Sequence, residues 1–332
     1  MRILVTGGAG FIGTNFTLLA ERLGHSVLVI DNLSRKGSEE NLRILKTEKR
    51  VRFKKLDIRK TLPLGLGNFD AIVHLAATCS TPLSFEDPYS DFLDNALGTV
   101  NVLEFARKKG RIPVIYSSTC KVYTEEINKI PITETKTRYK FKNFSGITEE
   151  GPVESQGAYM RTPYGTSKLT GELYCLEYFK SFAVPTVINR LSTVFGKYQK
   201  GSVESGWIYW FIKAKKYNLP VVIFGTGKQV RDTVWGEDVA KLFLQQIKNI
   251  KRQTSQVYNV GGGPENSISI LELVDYLNKK GGRSLKVKFA PARPGDFKVY
   301  ISDLTKIKKS TIWRPEISVY RGIDILWKEK SL

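Results

Sequence analysis

A short glycine-rich run near the beginning of the chain constrains its fold more than any other feature. Residues 5–13 read VTGGAGFIG, in which Gly7, Gly10 and Gly13 are separated by two residues each. The run follows a strand-like apolar stretch and opens a segment with helical spacing. In such a turn the first glycine allows the tight bend, the second lets the backbone approach a pyrophosphate, and the third lets the helix pack on the strand. The pattern predicts a βαβ unit that binds a dinucleotide.

An acidic residue at a suitable distance supports this prediction. Asp31 closes the next predicted strand, 18 residues after the last glycine of the run, where a carboxylate accepts hydrogen bonds from ribose hydroxyls. The same carboxylate would repel a 2′-phosphate, so it favours NAD over NADP, although Arg35 and Lys36 lie close in sequence. The alternative is that Asp31 only starts a turn with Asn32.

The first half of the chain alternates short apolar runs with amphipathic segments, which is typical of a parallel sheet covered by helices on both faces. We predict strands at residues 2–6, 26–30, 52–56, 71–75, 113–117 and 186–189, and helices at 11–23, 91–109 and 162–182. The sequence thus predicts a doubly wound Rossmann-type α/β domain over residues 1–190 and a smaller α/β substrate lobe over 191–332, with some exchange of strands and helices between them. The polar stretch 124–160 is either a lid over the site or a surface insertion.

A tyrosine and a lysine supply the candidate chemistry. Tyr164 and Lys168 stand four residues apart in the sequence PYGTSK, on one face of a predicted helix. A tyrosine with a pKa of about 10 is a poor base, but a nearby ammonium and an oxidised nicotinamide favour the phenolate. It can then take a proton from a hydroxyl as hydride leaves the same carbon. The spacing alone arises often on solvent-facing helices, whereas its position downstream of the glycine run, with Thr119 at a strand end, favours catalysis.

Composition limits the other possibilities. The net charge is +20, from 52 Lys and Arg against 32 Asp and Glu, and it fits a nucleic-acid-binding surface, an anionic substrate or a lysine-rich exterior. Three cysteines without C-x-x-C spacing and only two histidines favour neither disulfides nor a metal centre. No run approaches the about 18 apolar residues needed to span a bilayer, so we expect a cytoplasmic protein.

Several motifs together resemble a known family. The sequences TGGAGFIG, HLAA (74–77), SSTCKVY (117–123) and PYGTSK are similar to those of the extended short-chain dehydrogenase/reductase family of nucleotide-sugar epimerases and dehydratases. The resemblance covers essentially the whole chain. Within the family, DNLSRKGSEENL (31–42), TETKTRY (133–139), GWIYWF (206–211) and GTGKQVRD (225–232) are most similar to the subfamily of CDP-paratose 2-epimerases, also called CDP-tyvelose 2-epimerases.

The resemblance implies roles for individual residues. It makes Thr119, Tyr164 and Lys168 catalytic. It implies that NAD is held by Gly7, Gly10, Phe11, Ile12, Gly13, Asp31, Asn32, Ser34, Arg35, Asp57, Ile58, Leu75, Ala76, Ala77, Asn95, Ser117, Tyr164 and Lys168. It implies substrate contacts from Thr119, Asn189, Arg231 and Arg293, and no metal. The two arginines would bind the substrate pyrophosphate through their bidentate guanidinium groups, or they are surface ion-pair residues.

The activity that the resemblance implies is NAD-dependent epimerisation of a nucleotide-activated hexose by transient oxidation, at C2 of a CDP-hexose. The main alternative is a UDP-hexose 4-epimerase with the same machinery. Cys120 and Lys121 follow the catalytic threonine where sugar dehydratases carry an acidic pair, which disfavours elimination. A remote alternative is a non-catalytic RNA-binding or regulatory relative. We expect a nucleotide-sugar partner, no nucleic acid, no membrane, and a homo-oligomer, dimer or tetramer, whose seam uses helices 91–109 and 162–182.

Overall fold

A parallel sheet forms the centre of the computed structural model, which describes residues 1–154, 159–202 and 205–329. Within these residues the sheet has seven strands, namely β1 (Arg2–Thr6), β2 (Ser26–Asp31), β3 (Val51–Lys55), β4 (Ala71–His74), β5 (Val114–Thr119), β8 (Thr186–Leu191) and β12 (Gln256–Val260). All are parallel, and their order across the sheet is β12-β8-β5-β4-β1-β2-β3. This confirms the predicted doubly wound Rossmann-type fold. The order reverses between β1 and β4, where such sheets open a ligand crevice at the carboxyl ends of their strands.

Helices cover both faces of the sheet because its strands are apolar on both sides. On one face α1 (Phe11–Arg22) and α8 (Gly236–Lys248) pack against Val5, Val29 and Val187. On the other face α5 (Gly98–Lys108) and α6 (Pro163–Phe182) pack against Leu4, Ile72 and Ile188. The helices α2 (Ser38–Leu45), α3 (Thr81–Glu86), α4 (Pro88–Phe92), α9 (Ile250–Gln253) and α11 (Thr305–Ser310) complete this part of the molecule.

The second lobe lies beside the carboxyl ends of the strands. Its strands are β9 (Thr193–Phe195), β10 (Val221–Phe224), β11 (Val230–Trp235), β13 (Ser267–Ser269), β14 (Val287–Ala290) and β15 (Val299–Tyr300), and its helices are α7 (Trp207–Tyr217), α10 (Ile270–Asn278) and α12 (Val319–Lys328). Ile212, Trp235, Leu273 and Ile323 belong to its own apolar core. The chain returns to the first domain through α8 and β12, so the lobe is built from interleaved segments.

Two predicted segments have more detail than their sequences suggested. The predicted helix 91–109 is α4, a π-helical turn over Leu93–Leu97 and α5. In the stretch 124–160, of which 155–158 lie outside the described residues, β6 (Ile132–Glu134) and β7 (Tyr139–Phe141) form a hairpin. Backbone hydrogen bonds from Tyr139 to Lys228 and from Ile147 to Ile301 join this stretch to the second lobe. Among the described residues, no helix is both long and apolar enough to cross a membrane.

Candidate active site

The glycine run forms a turn that only glycine can occupy at its critical positions. Gly7 has a φ of +66°, and a Cβ added to it would lie 2.6 Å from the backbone nitrogen of Ala76. A Cβ on Gly13 would lie 2.3 Å from the carbonyl oxygen of Gly7. Helix α1 begins after Gly10 with no side-chain cap and no acidic residue in its first turn. Its first N–H groups are therefore available to an anion, and the turn fits the pyrophosphate of a dinucleotide.

Asp31 lies beside this turn at the end of β2. Its carboxylate accepts hydrogen bonds from the backbone N–H groups of Ala9 (3.1 Å) and Leu33 (2.8 Å). Burial raises the pKa of Asp31, while these two hydrogen bonds oppose the shift. The next loop is ordered by Asn32, whose side-chain oxygen accepts from the backbone (3.0 Å) and the hydroxyl (2.8 Å) of Ser34. The predicted ribose contact of Asp31 remains a prediction.

Asp57 and Ile58, which are predicted to hold NAD, follow β3. Asp57 binds the guanidinium of Arg59 at 2.5 Å, and the hydrogen bonds from Arg59 lower the pKa of Asp57. Ile58 is buried, and its carbonyl accepts a hydrogen bond from the Asn101 side chain (2.8 Å). A cofactor bound here would therefore share the Asp57 carboxylate with Arg59. Ile58 would offer it an apolar side chain.

One predicted cofactor residue, Asn95, lies behind the site. It is fully buried on the π-helical turn, where its amide binds both the N–H and the carbonyl of Thr78 (3.0 and 3.1 Å) and the side chains of Asp91 and Ser167. The Asn95 amide therefore positions the loop after β4. The predicted contact of Asn95 with the cofactor remains a prediction.

A cavity of about 440 Å³ connects the glycine turn to the second lobe. Its walls include the following predicted site residues: Gly7, Gly10, Phe11, Ile12, Gly13, Arg35, Leu75, Ala77, Ser117, Thr119, Tyr164, Lys168, Arg231 and Arg293. The second lobe adds the aromatic side chains of Trp207, Trp210, Phe211 and Phe224. A largely apolar cavity with a few converging polar groups is the usual form of a small-molecule site.

Tyr164 and Lys168 lie in the first two turns of α6, at the middle of the cavity. Thr162 is the N-cap of this helix, and its side chain accepts a hydrogen bond from the Gly165 N–H (3.1 Å). Pro163 follows as the first residue of the helix. This cap and the N-terminal proline fix where the helix starts. The four-residue spacing then directs both side chains to the same side, with Tyr164 9 % and Lys168 3 % exposed.

Burial shifts the pKa values of both groups in the direction that disfavours their charged forms. Burial raises the pKa of Tyr164 well above its ordinary value, and the neighbouring Cys79 side chain raises it further, although a hydrogen bond with Thr119 opposes the shift. Burial lowers the pKa of Lys168, whose ammonium lies 4.3 Å from the centre of the Tyr116 ring. A positive charge placed next to Tyr164 would favour the phenolate. In the predicted reaction Tyr164 is the base, and the positive charge that favours its phenolate would come from Lys168 and from the bound cofactor.

His74, the last residue of β4, is part of the support for this region. Its ring nitrogens hydrogen-bond the hydroxyls of Thr6 (2.7 Å) and Thr99 (3.0 Å). Burial lowers the pKa of His74 to about 3, so it is neutral at physiological pH. The side chain is a structural link between β1, β4 and α5.

A buried ion pair that the sequence analysis missed supports the end of β5. Arg190 on β8 binds Glu172 on α6 at 2.8 Å, with 7 % and 1 % of their side chains exposed. Glu172 also accepts a hydrogen bond from Ser118, the residue before Thr119. A signal was present, because Arg190 is a charged residue inside an otherwise buried strand and such residues are almost always paired. The ion pair joins α6 to β8, and the hydrogen bond from Ser118 joins α6 to β5, the strand that carries Thr119.

The far end of the cavity carries a cluster of charges. Asp296 accepts hydrogen bonds from Arg231 (2.5 Å) and Lys121 (3.2 Å). Although burial alone would raise it, these two cations hold the pKa of Asp296 well below its ordinary value. The guanidinium of Arg293 lies 3.8 Å from the centre of the Phe224 ring. The predicted Arg231 and Arg293 are thus together in the cavity, whereas Lys121 and Asp296 were not predicted as site residues.

Asn189, a predicted substrate contact, is not among the residues that line the cavity. It is fully buried on β8, and its amide exchanges two hydrogen bonds with Gln246 of α8 (2.9 and 2.7 Å). Successive side chains of a strand point to opposite faces of the sheet. The Asn189 side chain points to the face that α8 covers. Asn189 therefore joins a helix to the sheet.

Comparison with known proteins agrees with this geometry. Residues 3–261 match the NAD dependent epimerase/dehydratase family. The chain is 34% identical to CDP-paratose 2-epimerase of Salmonella typhi, with 98% of each chain covered. It is 31% identical to UDP-glucose 4-epimerase of Mycolicibacterium smegmatis, with 97% of this chain and 96% of that one covered.

A solved structure leads to the same family. The fold is similar to that of UDP-glucuronic acid 4-epimerase from Bacillus cereus, solved in complex with UDP-glucuronic acid and NAD, with a TM-score of 0.83, 27% identity and 98% of each chain covered. The glycine turn, the Tyr164–Lys168 pair and the connected cavity are the features that a shared chemistry requires. The chain belongs to the NAD dependent epimerase/dehydratase family and is an enzyme that uses NAD.

Proposed function

We propose that this enzyme inverts C2 of a CDP-activated hexose by transient oxidation and reduction. The observation that carries the general reaction is the single cavity that runs from the glycine turn, past Tyr164, to Arg231 and Arg293. In the proposed arrangement the dinucleotide lies at the glycine turn and the nucleoside diphosphate at the two arginines, with Tyr164 between them. The 34% identity to a CDP-paratose 2-epimerase supports cytosine as the nucleotide base and C2 as the carbon that is inverted.

In this mechanism the protein residues handle protons and position the sugar. Tyr164 accepts the proton of the C2 hydroxyl, Thr119 hydrogen-bonds the same oxygen, and Lys168 stabilises the phenolate. NAD held at the glycine turn would supply the chemistry that the residues lack, namely acceptance and return of the C2 hydride. Arg231 and Arg293 hold the diphosphate while the keto sugar turns, so that the returned hydride reaches the opposite face. Tyr164 then returns the proton to the oxygen.

The charge cluster supports oxidation close to the diphosphate. C2 is bonded to the anomeric carbon that carries the phosphate, whereas C4 lies across the ring. Lys121 is two residues from Thr119, its backbone N–H donates to the Thr119 hydroxyl (3.2 Å), and its ammonium shares Asp296 with Arg231. Cations thus extend from the diphosphate end towards the reacting hydroxyl. The UDP-hexose 4-epimerases among the relatives make C4 inversion of a UDP-sugar the second candidate.

The test uses sugars labelled at the reacting carbon. Purified enzyme without added oxidant is incubated separately with CDP-glucose, CDP-paratose, GDP-glucose and UDP-glucose in deuterated buffer, and the sugar protons are followed by NMR. We expect inversion at C2 of a CDP-sugar with no deuterium uptake, because hydride returns from the cofactor. A C2-deuterated substrate should keep its label. Inversion at C4, or solvent deuterium at C2, would overturn the proposal.

We also propose a homodimer formed through α4 and α6. These two helices pack side by side, and large apolar side chains project from them, with Tyr89 70 % and Leu173 58 % exposed and Phe92 and Tyr174 also exposed. A continuous apolar surface of this kind marks an interaction site. An isologous contact would bury the same patch on both copies.

Light scattering of a matched pair of variants tests the dimer. Replacing Tyr89 and Leu173 by lysine should convert a dimer into a monomer, because charges would face each other across the seam. Ile312→Lys, at an apolar residue 87 % exposed elsewhere on the surface, should leave the mass unchanged. A native monomer, or a Tyr89→Lys/Leu173→Lys variant that stays dimeric, would contradict the proposal.

A further inference from the structure

A second concave site lies at the opposite end of the sheet from the active site. It is a groove of about 540 Å³ at the amino ends of β1, β2 and β3. Its floor includes Leu28 and Leu66. Its rim carries five cationic side chains: Arg2, Lys49, Arg50, Arg52 and Lys54. None of the groove residues belongs to the catalytic cavity.

The strand register explains why the cations converge. Leu28 pairs with Arg52, and Ile30 pairs with Lys54, so both cations project on the same face of the sheet as Leu28. Residues two apart on a strand are about 7 Å apart, and neighbouring strands are about 5 Å apart. Arg2 pairs with Ser26 on β2, so its side chain lies on this face too, with the guanidinium 5.2 Å from the centre of the Phe69 ring. Three cations from two strands therefore lie over one apolar floor.

Few negative charges balance this cluster. Within the described part of the chain, the ion pair found for these five cations joins Arg50 and Glu21 at 3.6 Å. Asp70 hydrogen-bonds the backbone N–H of Arg2 (2.7 Å). Charged residues on an edge strand such as β3 discourage edge-to-edge association, which accounts for Arg52 and Lys54. That purpose does not require Arg2, Lys49 and Arg50, which reach the groove from β1 and from the turn before β3.

We propose that this groove is a binding site for a phosphorylated ligand that carries at least two phosphate groups. A concave site lined by one sign of charge concentrates counter-ions, and Arg and Lys are the side chains that bind phosphate most strongly. The apolar floor accepts an uncharged portion of the ligand. A soluble oligophosphate ester and a lipid headgroup share this chemistry. The site is separate from catalysis, so its occupancy does not depend on which sugar the enzyme uses.

Calorimetry with tripolyphosphate tests the site. The NAD-loaded enzyme is first saturated with CDP and UDP to fill the catalytic cavity. Arg52→Gln/Lys54→Gln should bind tripolyphosphate at least about tenfold more weakly than the native protein, since it loses two charge-assisted contacts. The matched control is Lys308→Gln/Lys309→Gln, which removes the same charge from exposed positions on α11 and should bind like the native protein. Sugar turnover should be unchanged in both variants.

A second arm identifies the source of the phosphate. Phosphatidylcholine vesicles that contain a phosphatidylinositol bisphosphate, whose headgroup carries several phosphate groups, are sedimented with the same three proteins, and vesicles of phosphatidylcholine alone serve as the neutral reference. Groove-dependent binding to tripolyphosphate alone supports a soluble ligand, whereas groove-dependent binding to the anionic vesicles supports a lipid headgroup. No binding of either probe to the native protein, or equal weakening by the two double variants, overturns the site, because the attraction would then be absent or come from the net charge as a whole.

Discussion

Tyr164→Phe is expected to lower kcat by about a thousandfold or more while leaving NAD bound. The hydroxyl performs the proton transfer, and removal of a general base costs about 10²–10⁴ in rate. The ring keeps its buried position at the start of α6 and its contact with the cavity. Turnover is measured by NMR of the sugar protons, and cofactor content by the NAD released when the purified protein is denatured.

Tyr139→Phe is the control for this variant. Its hydroxyl interacts with Thr226 at 3.1 Å on the hairpin β6–β7, and Tyr139 does not line the catalytic cavity. Its turnover should stay within about twofold of the native enzyme, since surface substitutions of this kind have small effects. If Tyr164→Phe kept native turnover, Tyr164 would not be the base. Loss of NAD together with turnover would point to a structural role.

Glu172→Ala is expected to give the largest loss of stability, about 3–5 kcal/mol in the free energy of unfolding. Removal of one partner from a buried ion pair leaves the other charge buried and uncompensated. Arg190 would keep a hydrogen bond to the Tyr123 hydroxyl (3.1 Å) and one to the Glu149 carbonyl (2.9 Å), but it would have lost its carboxylate. Urea unfolding followed by circular dichroism measures the change as a shift of the midpoint.

Two further variants separate charge burial from helix effects. Glu177→Ala, on the exposed side of the same helix, should change stability by no more than about 0.5 kcal/mol. Glu172→Leu/Arg190→Met removes both charges and should recover much of the loss, because apolar replacements of buried pairs are often neutral. A loss of less than about 1 kcal/mol in Glu172→Ala would show that Arg190 does not depend on this carboxylate.

The regular elements were predictable because their signals are local. Strand β1 has the predicted bounds, and α6 begins one residue later than predicted. Apolar periodicity, the glycine run and the proline at the start of α6 each act on neighbouring residues. The helix predicted over 91–109 includes a π-helical turn, since that turn depends on contacts between Asn95 and a loop 17 residues earlier.

The sequence by itself determined the family, the cofactor and the paired positions of Tyr164 and Lys168, because all three follow from residues close together in the chain. Only the tertiary structure decided which distant side chains meet in the cavity. It turned Asn189 towards Gln246 and brought Lys121 to Asp296, across 175 residues of sequence. The physical reason is that the face on which a buried polar side chain finds its partner is set by the packing of separate segments, and no local spacing encodes that choice.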